Sequence, residues 1–427
     1  MAGFPLFAGF DPDRVAVWHR GHAITQGQFI ARAQTLARAL PQGMYAINLC
    51  GDRYAFMLGF AAVCLRGQTN LLPASAAAAA AERLRAAYPH SYTLTDDDIR
   101  IESQDAATTC PLIDADHLAA ILFTSGSTGA PQAHPKRWRT LSVIALHLSQ
   151  RLLGEASANI VATVPAQHMY GLETTVLMGL GARCTVHSGR PFFPQDVVQA
   201  LHELPAPRVL VTTPVHLRAL AAAEARLPPL QFVVSATAPL TPALAAACEQ
   251  AWSAPVLEIY GCTEAGSTAT RRTLDGPRWQ VLPEMQLGEL ADGRAIVHAA
   301  HLPESVPLED VLELDGAEHF HLIGRSSDLL KVAGRRASLS DLTQKLLALP
   351  GVQDAVIFNA GDGEVARPAA LVVAPTVSEA AILQALAQQV DPVFLPRPLR
   401  KVAQLPRNEL GKLPRQRLLE LMERPHD

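Results

Sequence analysis

Through most of this chain, short apolar runs alternate with longer Ala/Leu-rich stretches of helical spacing, and that alternation restricts the fold more than any other feature. The runs Ala119–Thr124, Asn159–Val164, Arg208–Thr212, Phe232–Ser235 and Val256–Tyr260 read as strands. The stretches Thr140–Leu153, Gln195–Glu203, Val215–Ala225 and Pro242–Trp252 read as helices. Strands in parallel register need a crossover, usually a helix, so this succession predicts an α/β fold with mainly parallel sheets flanked by helices. Near Gly324 the pattern changes. A hairpin-like stretch (Leu329–Leu339) leads to a helix (Ser340–Leu349) and strands at Val352–Asn359 and Ala370–Ala374. A helix (Ser378–Val390), a strand running into a loop (Arg400–Leu410) and a final helix (Arg415–Glu423) follow. That is a small α+β unit. The expected division is a large N-terminal domain over residues 1–325 and a small C-terminal lid domain over residues 326–427.

A length of 427 residues leaves room for both. The formal net charge is −4 and the basic residues are dispersed, which gives no reason to expect a nucleic-acid or anionic-membrane partner. The N-terminal residues lack a basic leader followed by an apolar core, and no apolar run reaches the length of a membrane span. The six cysteines form no C-x-x-C pair and read as reduced thiols of a cytoplasmic protein. Asp96–Asp98 reads as an exposed acidic turn in preference to a metal cluster.

The sharpest local signal is the segment from Leu122 to Gln132, where an apolar strand runs into Thr124-Ser125-Gly126-Ser127-Thr128-Gly129-Ala130-Pro131. Glycines let backbone N–H groups converge on an anion, and hydroxyls add donors without bulk. A flexible Ser/Gly linker has the same composition, but the strand directly before the loop favours phosphate binding. No Gly-Lys-Ser/Thr follows at the spacing of the common nucleotide P-loop.

This loop resembles the Thr-Ser-Gly-Ser/Thr-Thr-Gly-x-Pro-Lys loop of the adenylate-forming superfamily, which includes acyl-CoA synthetases, adenylation domains of peptide synthetases, and luciferases. The family lysine is replaced by Gln132, and Lys136 is the nearby candidate for the missing charge. Further segments match in order. Pro165-Ala166-Gln167-His168-Met169-Tyr170-Gly171 resembles the Pro-x-x-His-x-x-Gly segment, and the resemblance puts His168 against the substrate carboxylate. Ser235-Ala236-Thr237-Ala238-Pro239-Leu240 resembles a Ser-Gly-Gly-Ala-Pro-Leu turn beside adenine and the acyl pocket, with Ala236 and Thr237 in place of two glycines. Tyr260-Gly261-Cys262-Thr263-Glu264 matches Tyr-Gly-x-Thr-Glu. It implies Tyr260 near adenine, Thr263 on phosphate and Glu264 on Mg²⁺, for which a hard carboxylate oxygen is suited. Asp310 falls near the family's ribose-binding aspartate, with Glu309 and Asp315 as competitors.

The segment from Gly324 to Arg336 resembles the family linker, which implies Arg325 on the ribose and a hinge at Ser327. The loop at Gly334 would enter the site for the second half-reaction. Pro406-Arg407-Asn408-Glu409-Leu410-Gly411-Lys412 resembles the terminal Gly-Lys motif and makes Lys412 the expected catalytic lysine. The resemblance implies ATP and Mg²⁺ as cofactors. It implies adenylation of a carboxylic acid, then transfer to a thiol on an acyl carrier protein or coenzyme A. Within the superfamily, the Gln132–Lys136 variant and the short N-terminal part are similar to aryl polyene and xanthomonadin-type ligases that load 4-hydroxybenzoate onto an acyl carrier protein. A catalytically silent nucleotide-binding module is the rival that Gln132 favours.

Overall fold

The computed structural model describes residues 3–100, 105–125, 131–181, 183–325, 329–332, 335–361, 368–407 and 413–423. Two sheets dominate. In the five-stranded sheet, Ser91–Leu94, Tyr45–Asn48, Thr69–Leu72 and Leu118–Ser125 run parallel in that spatial order, and Pro131–Arg137 closes the edge antiparallel. The eleven-stranded sheet has a parallel centre in the order Val256–Cys262, Phe232–Ser235, Arg208–Thr212, Ala158–Ala162, Cys184–His187 and Val15–His19. Antiparallel strands extend it on one side through Gly266–Arg272, Arg278–Val281, His319–Arg325 and Asp310–Asp315.

The central strands are continuous apolar runs because both of their faces are covered. Val209, Leu210, Val211, Val233 and Val234 are all buried. Helix starts follow from local chemistry. Thr25 and Gln28 form a reciprocal capping box ahead of Gln26–Ala39. Asp52 caps Arg53–Leu65, and Thr241 caps Pro242–Trp252 with proline at the first turn. Arg53–Leu65 is apolar on nearly every side and buried along its length, as expected of a helix enclosed by other layers. No helix among the described residues is long and apolar enough to cross a membrane.

Beyond residue 328 the hairpin Leu329–Val332/Arg335–Ser338 leads into helix Leu339–Leu347. Asp354–Asn359 pairs antiparallel with Pro368–Val373, and Leu399–Lys401 adds a parallel third strand. Helices Glu379–Ala387 and Arg415–Glu423 complete this part, and Leu342, Leu346, Ile357, Val372 and Leu386 belong to an apolar cluster of its own. The protein is thus α/β, with a large N-terminal part and a small α+β C-terminal part.

Two features depart from the sequence reading. The strand expected to end at Tyr260 continues to Cys262, because a bulge between Tyr260 and Gly261 lets it turn directly into Gly266–Arg272. The strand Pro131–Arg137 has no sequence signal, since it carries two prolines. Prolines are tolerated there because the strand lies at the sheet edge. The Asp96–Asp98 turn is structural. Asp96 accepts from the Gly51 and Asp52 amides, Asp98 from Thr95, and Asp97 pairs with Arg100. All six cysteines are unpaired.

Candidate active site

Ligands of open α/β sheets bind outside the carboxyl ends of parallel strands, and the expected site residues gather at those ends. Thr124 and Ser125 end the strand Leu118–Ser125. Ala236 and Thr237 follow Phe232–Ser235, and Thr263 and Glu264 turn the corner after Val256–Cys262. Residues Gly126, Ser127, Thr128, Gly129, Ser327, Gly334 and Lys412 lie outside the described residues.

The two sheets meet at Thr124, His134 and Glu264. Nε2 of His134 lies 3.0 Å from the Thr124 hydroxyl, and its Nδ1 lies 3.6 Å from Oε1 of Glu264. His134 is buried, whereas the Glu264 side chain is 43% exposed and open to a ligand. Burial lowers the pKa of the His134 imidazole, opposed by the Glu264 charge. Lys136, two residues along the same strand face, donates its ammonium to the Glu264 backbone carbonyl. Lys136 is only 4% exposed, and burial lowers its pKa, with Glu173, Cys262 and Glu264 holding it up. This corrects the expectation that Lys136 replaces the missing loop cation. Its charge is committed beneath Glu264. Gln132 is exposed at the loop end of the strand.

The turn bearing Thr263 and Glu264 is fixed from below. Gly261 is required there, since a Cβ would lie 2.4 Å from the Gly266 carbonyl oxygen. The Ser267 amide donates to Oε2 of Glu173 at 3.0 Å, and its hydroxyl donates to the same oxygen. Burial pushes the Glu173 carboxyl up to about 7, against the Ser267 donors and the Lys136 charge.

The Tyr260 hydroxyl donates to Oδ2 of Asp310 at 2.7 Å. Asp310 and Arg325 are register partners across their antiparallel strands. Tyr260 packs on Phe320 and Trp279, and the Arg271 guanidinium caps the Trp279 ring at 4.4 Å. Asp315 pairs with Arg278 at 2.8 Å, and Glu309 is highly exposed, with Arg294 3.9 Å away. Tyr260 and Asp310 are thus in direct contact, and the strand of Asp310 pairs with the one that carries Arg325.

The half-buried His168 precedes a short helix, Met169–Gly171, that continues as a π-helix over Leu172–Leu177. Gly171 is tightly constrained, since a Cβ would sit 1.9 Å from the Pro165 carbonyl oxygen. Arg53 anchors this segment. Its guanidinium donates to the carbonyls of Ala162 and Val164 at 3.0 and 2.9 Å and to the Thr175 hydroxyl at 2.9 Å. The Tyr170 hydroxyl reaches the carbonyls of Thr212 and Val234, tying two strand ends together. Thr237 holds a left-handed backbone, φ 76°, where the resembling turn has glycine.

The sequence profile of the AMP-binding enzyme family matches residues 42–287, more than half of the chain. The chain belongs to the AMP-binding enzyme family. The chain is similar to a 4-coumarate–CoA ligase of Halorhodospira halophila, 29% identical over 308 residues, covering 70% of this chain and 75% of that protein. A 3,4-dihydroxybenzoate–[aryl-carrier protein] ligase of Bacillus anthracis is 20% identical over 327 residues, covering 72% and 75%. In fold, the chain is similar to o-succinylbenzoate CoA synthetase of Bacillus subtilis, solved with its acyl-adenylate intermediate. The TM-score is 0.83 at 18% identity, covering 100% of this chain and 99% of that one. This AMP-binding enzyme is an adenylate-forming acid–thiol ligase.

Sequence reasoning did not single out His134, Arg53 or Glu173. His134 was visible in the Gln132–Lys136 departure from the family loop. Arg53 and Glu173 sit in apolar helical segments, where a lone charged residue is itself the signal of a buried, satisfied role.

Proposed function

We propose that this enzyme uses ATP to convert a small aromatic acid, such as 4-hydroxybenzoate, into its acyl-adenylate, and passes the acyl group to the phosphopantetheine thiol of an acyl carrier protein. The observation that carries the adenylation step is the convergence of Thr124 with Glu264 through His134, beside the Tyr260–Asp310 pair. That convergence supports phosphate binding near Thr124 and Glu264, and the Tyr260–Asp310 pair supports nucleoside binding.

In the first half-reaction a carboxylate oxygen attacks the α-phosphorus of ATP in line, and pyrophosphate leaves. The loop from Thr124 to Gly129 donates N–H and O–H groups to the phosphates. Thr263 adds a hydroxyl, His168 orients the incoming carboxylate, and Lys412 stabilises charge between that carboxylate and the α-phosphate. Ala236, Thr237, Tyr260 and Gly261 border adenine, while Asp310 and Arg325 hold the ribose. The donor set at Glu264, an open carboxylate with hydroxyls nearby, fits a hard cation, and Glu264 would hold Mg²⁺. When bound, the ion neutralises phosphate charge. In the second half-reaction the thiol sulfur attacks the acyl carbon and AMP leaves, after residues 326–427 rotate at about Ser327.

The aryl-carrier ligase relative supports a carrier-protein acceptor, and both relatives named above act on aromatic acids by their names. Coenzyme A is the second reading, favoured by the higher identity to the 4-coumarate–CoA ligase. ATP–pyrophosphate exchange over aromatic and aliphatic acids, with Lys412→Ala in parallel, tests the first step. Exchange confined to aromatic acids and lost in the variant is expected. Exchange with aliphatic acids alone would overturn the substrate class. Offering the adenylate to a holo-carrier protein or to coenzyme A then decides the acceptor.

A further inference from the structure

We propose that His134 is a positioning residue that couples the phosphate loop to the Glu264 carboxylate, so that the two halves of the phosphate site are held in one geometry. This rests on the adenylation reading above.

The argument begins with the strand Pro131–Arg137. Its pairing puts Leu122 opposite His134 and Thr124 opposite Gln132. In a strand, alternate residues share a face, so Gln132, His134 and Lys136 all point the same way as Thr124. From that face His134 reaches Thr124 on its own sheet and Glu264 on the other sheet, at 3.0 and 3.6 Å. Lys136 reaches the backbone of the same glutamate. Consecutive inward positions of one strand therefore fix both the side chain and the main chain of Glu264.

A neutral imidazole with its proton on Nδ1 accepts from the Thr124 hydroxyl at Nε2 and turns its N–H edge toward Glu264, whose carboxylate lies 3.6 Å away, a polar contact longer than a hydrogen bond. Histidine suits this place because its two nitrogens lie on opposite edges of one rigid ring. A longer, flexible side chain would reach either neighbour but would not fix the distance between them. Gln132 leaves the loop without its usual lysine, and a rigid link from loop to carboxylate supplies order that a mobile cation does not.

The test compares wild type, His134→Ala and His134→Gln in two assays. The first is ATP–pyrophosphate exchange as a function of Mg²⁺ concentration. The second is acyl transfer to the thiol from supplied acyl-adenylate, which involves neither pyrophosphate nor its metal. For His134→Ala, the Mg²⁺ concentration for half-maximal exchange should rise about 3-fold, the scale of a polar contact longer than a hydrogen bond. Transfer from supplied adenylate should stay within about two-fold. His134→Gln keeps a group able to reach Thr124 but lacks the Nδ1 that faces Glu264. It should recover part of the exchange rate and retain the raised Mg²⁺ requirement. Should the alanine variant fail to fold, the glutamine variant is judged by the same two assays. An unchanged Mg²⁺ requirement, or equal loss in both half-reactions, overturns the proposal and leaves His134 a packing residue. Absence of exchange in wild type with every acid, while ATP still binds, overturns the adenylation reading and this proposal with it.

Discussion

The Tyr260 hydroxyl donates to Oδ2 of Asp310 across 2.7 Å, joining a residue near the end of a central strand to one that begins a peripheral strand. Tyr260→Phe removes the donor and leaves the ring packed against Phe320 and Trp279. The KM for ATP should rise about 5- to 10-fold with kcat nearly unchanged, since a net hydrogen bond contributes about 1 kcal/mol. Asp310→Asn should raise the KM further, because it also removes the charge. Initial rates against ATP concentration check both, and a fall in kcat at constant KM would place Tyr260 in the chemical step.

Thr237 carries a strain that glycine would relieve. A β-branched residue at φ 76° is a genuine outlier, and such positions cost about 1–3 kcal/mol. The unfolded-state entropy of glycine offsets part of that. Thr237→Gly should stabilise the protein by roughly 1 kcal/mol, read as a shift in the urea midpoint at constant m-value. It should also widen acid acceptance in the exchange assay, because the turn loses a side chain beside the proposed acyl pocket. A destabilised variant would show that the Thr237 side chain makes contacts worth more than its backbone costs.

The central strands were legible because burial on both faces writes an unbroken apolar run. Phe232–Ser235 and Arg208–Thr212 fall where the sequence places them. The motifs were legible because glycine, hydroxyl and carboxylate positions answer to local geometry. Three things were not. The strand Pro131–Arg137 owes its existence to its edge position, which is a property of the sheet and not of the segment. The use of Lys136 under Glu264 depends on a contact across 128 residues. Spacing leaves Asp310, Glu309 and Asp315 open, and the partner of each comes from elsewhere in the chain: Tyr260 for Asp310, Arg278 for Asp315 and Arg294 near Glu309.

Arg53 holds three acceptors at the carboxyl end of Ala158–Ala162 and in the segment that follows it, with the side chain 2% exposed. Arg53→Met keeps the apolar stem but leaves the Ala162 and Val164 carbonyls and the Thr175 hydroxyl without that donor. The expected loss is about 3–5 kcal/mol in chemical denaturation. Arg53→Lys should recover little, because an ammonium has no planar fork to span two carbonyls. Near-wild-type stability of the lysine variant would show that charge alone suffices.

Two buried groups should tilt stability in opposite directions over overlapping ranges of pH. Glu173 has its carboxyl raised by burial from about 4.5 to about 7. The folded state then holds more protons than the unfolded state across that window, so this group's contribution declines as pH rises from 4.5 to 7. His301 has its imidazole lowered by burial from 6.5 to about 4, helped by His147 and Lys136. Here the unfolded state holds more protons, so its contribution is lost as pH falls from 6.5 to 4. Each shift corresponds to roughly 3 kcal/mol, and their sum leaves the wild-type profile flatter than either. Glu173→Gln retains acceptors for Ser267 while removing the ionisation, so its stability should climb more steeply than wild type between pH 4.5 and 6.5. His301→Phe keeps a ring against His147, and its stability should fall across the same range. Urea midpoints at pH 4.5, 5.5, 6.5 and 7.5 distinguish them. If the gap between Glu173→Gln and wild type stays constant with pH, Glu173 is ionised throughout, and the nearby Lys136 charge outweighs its burial.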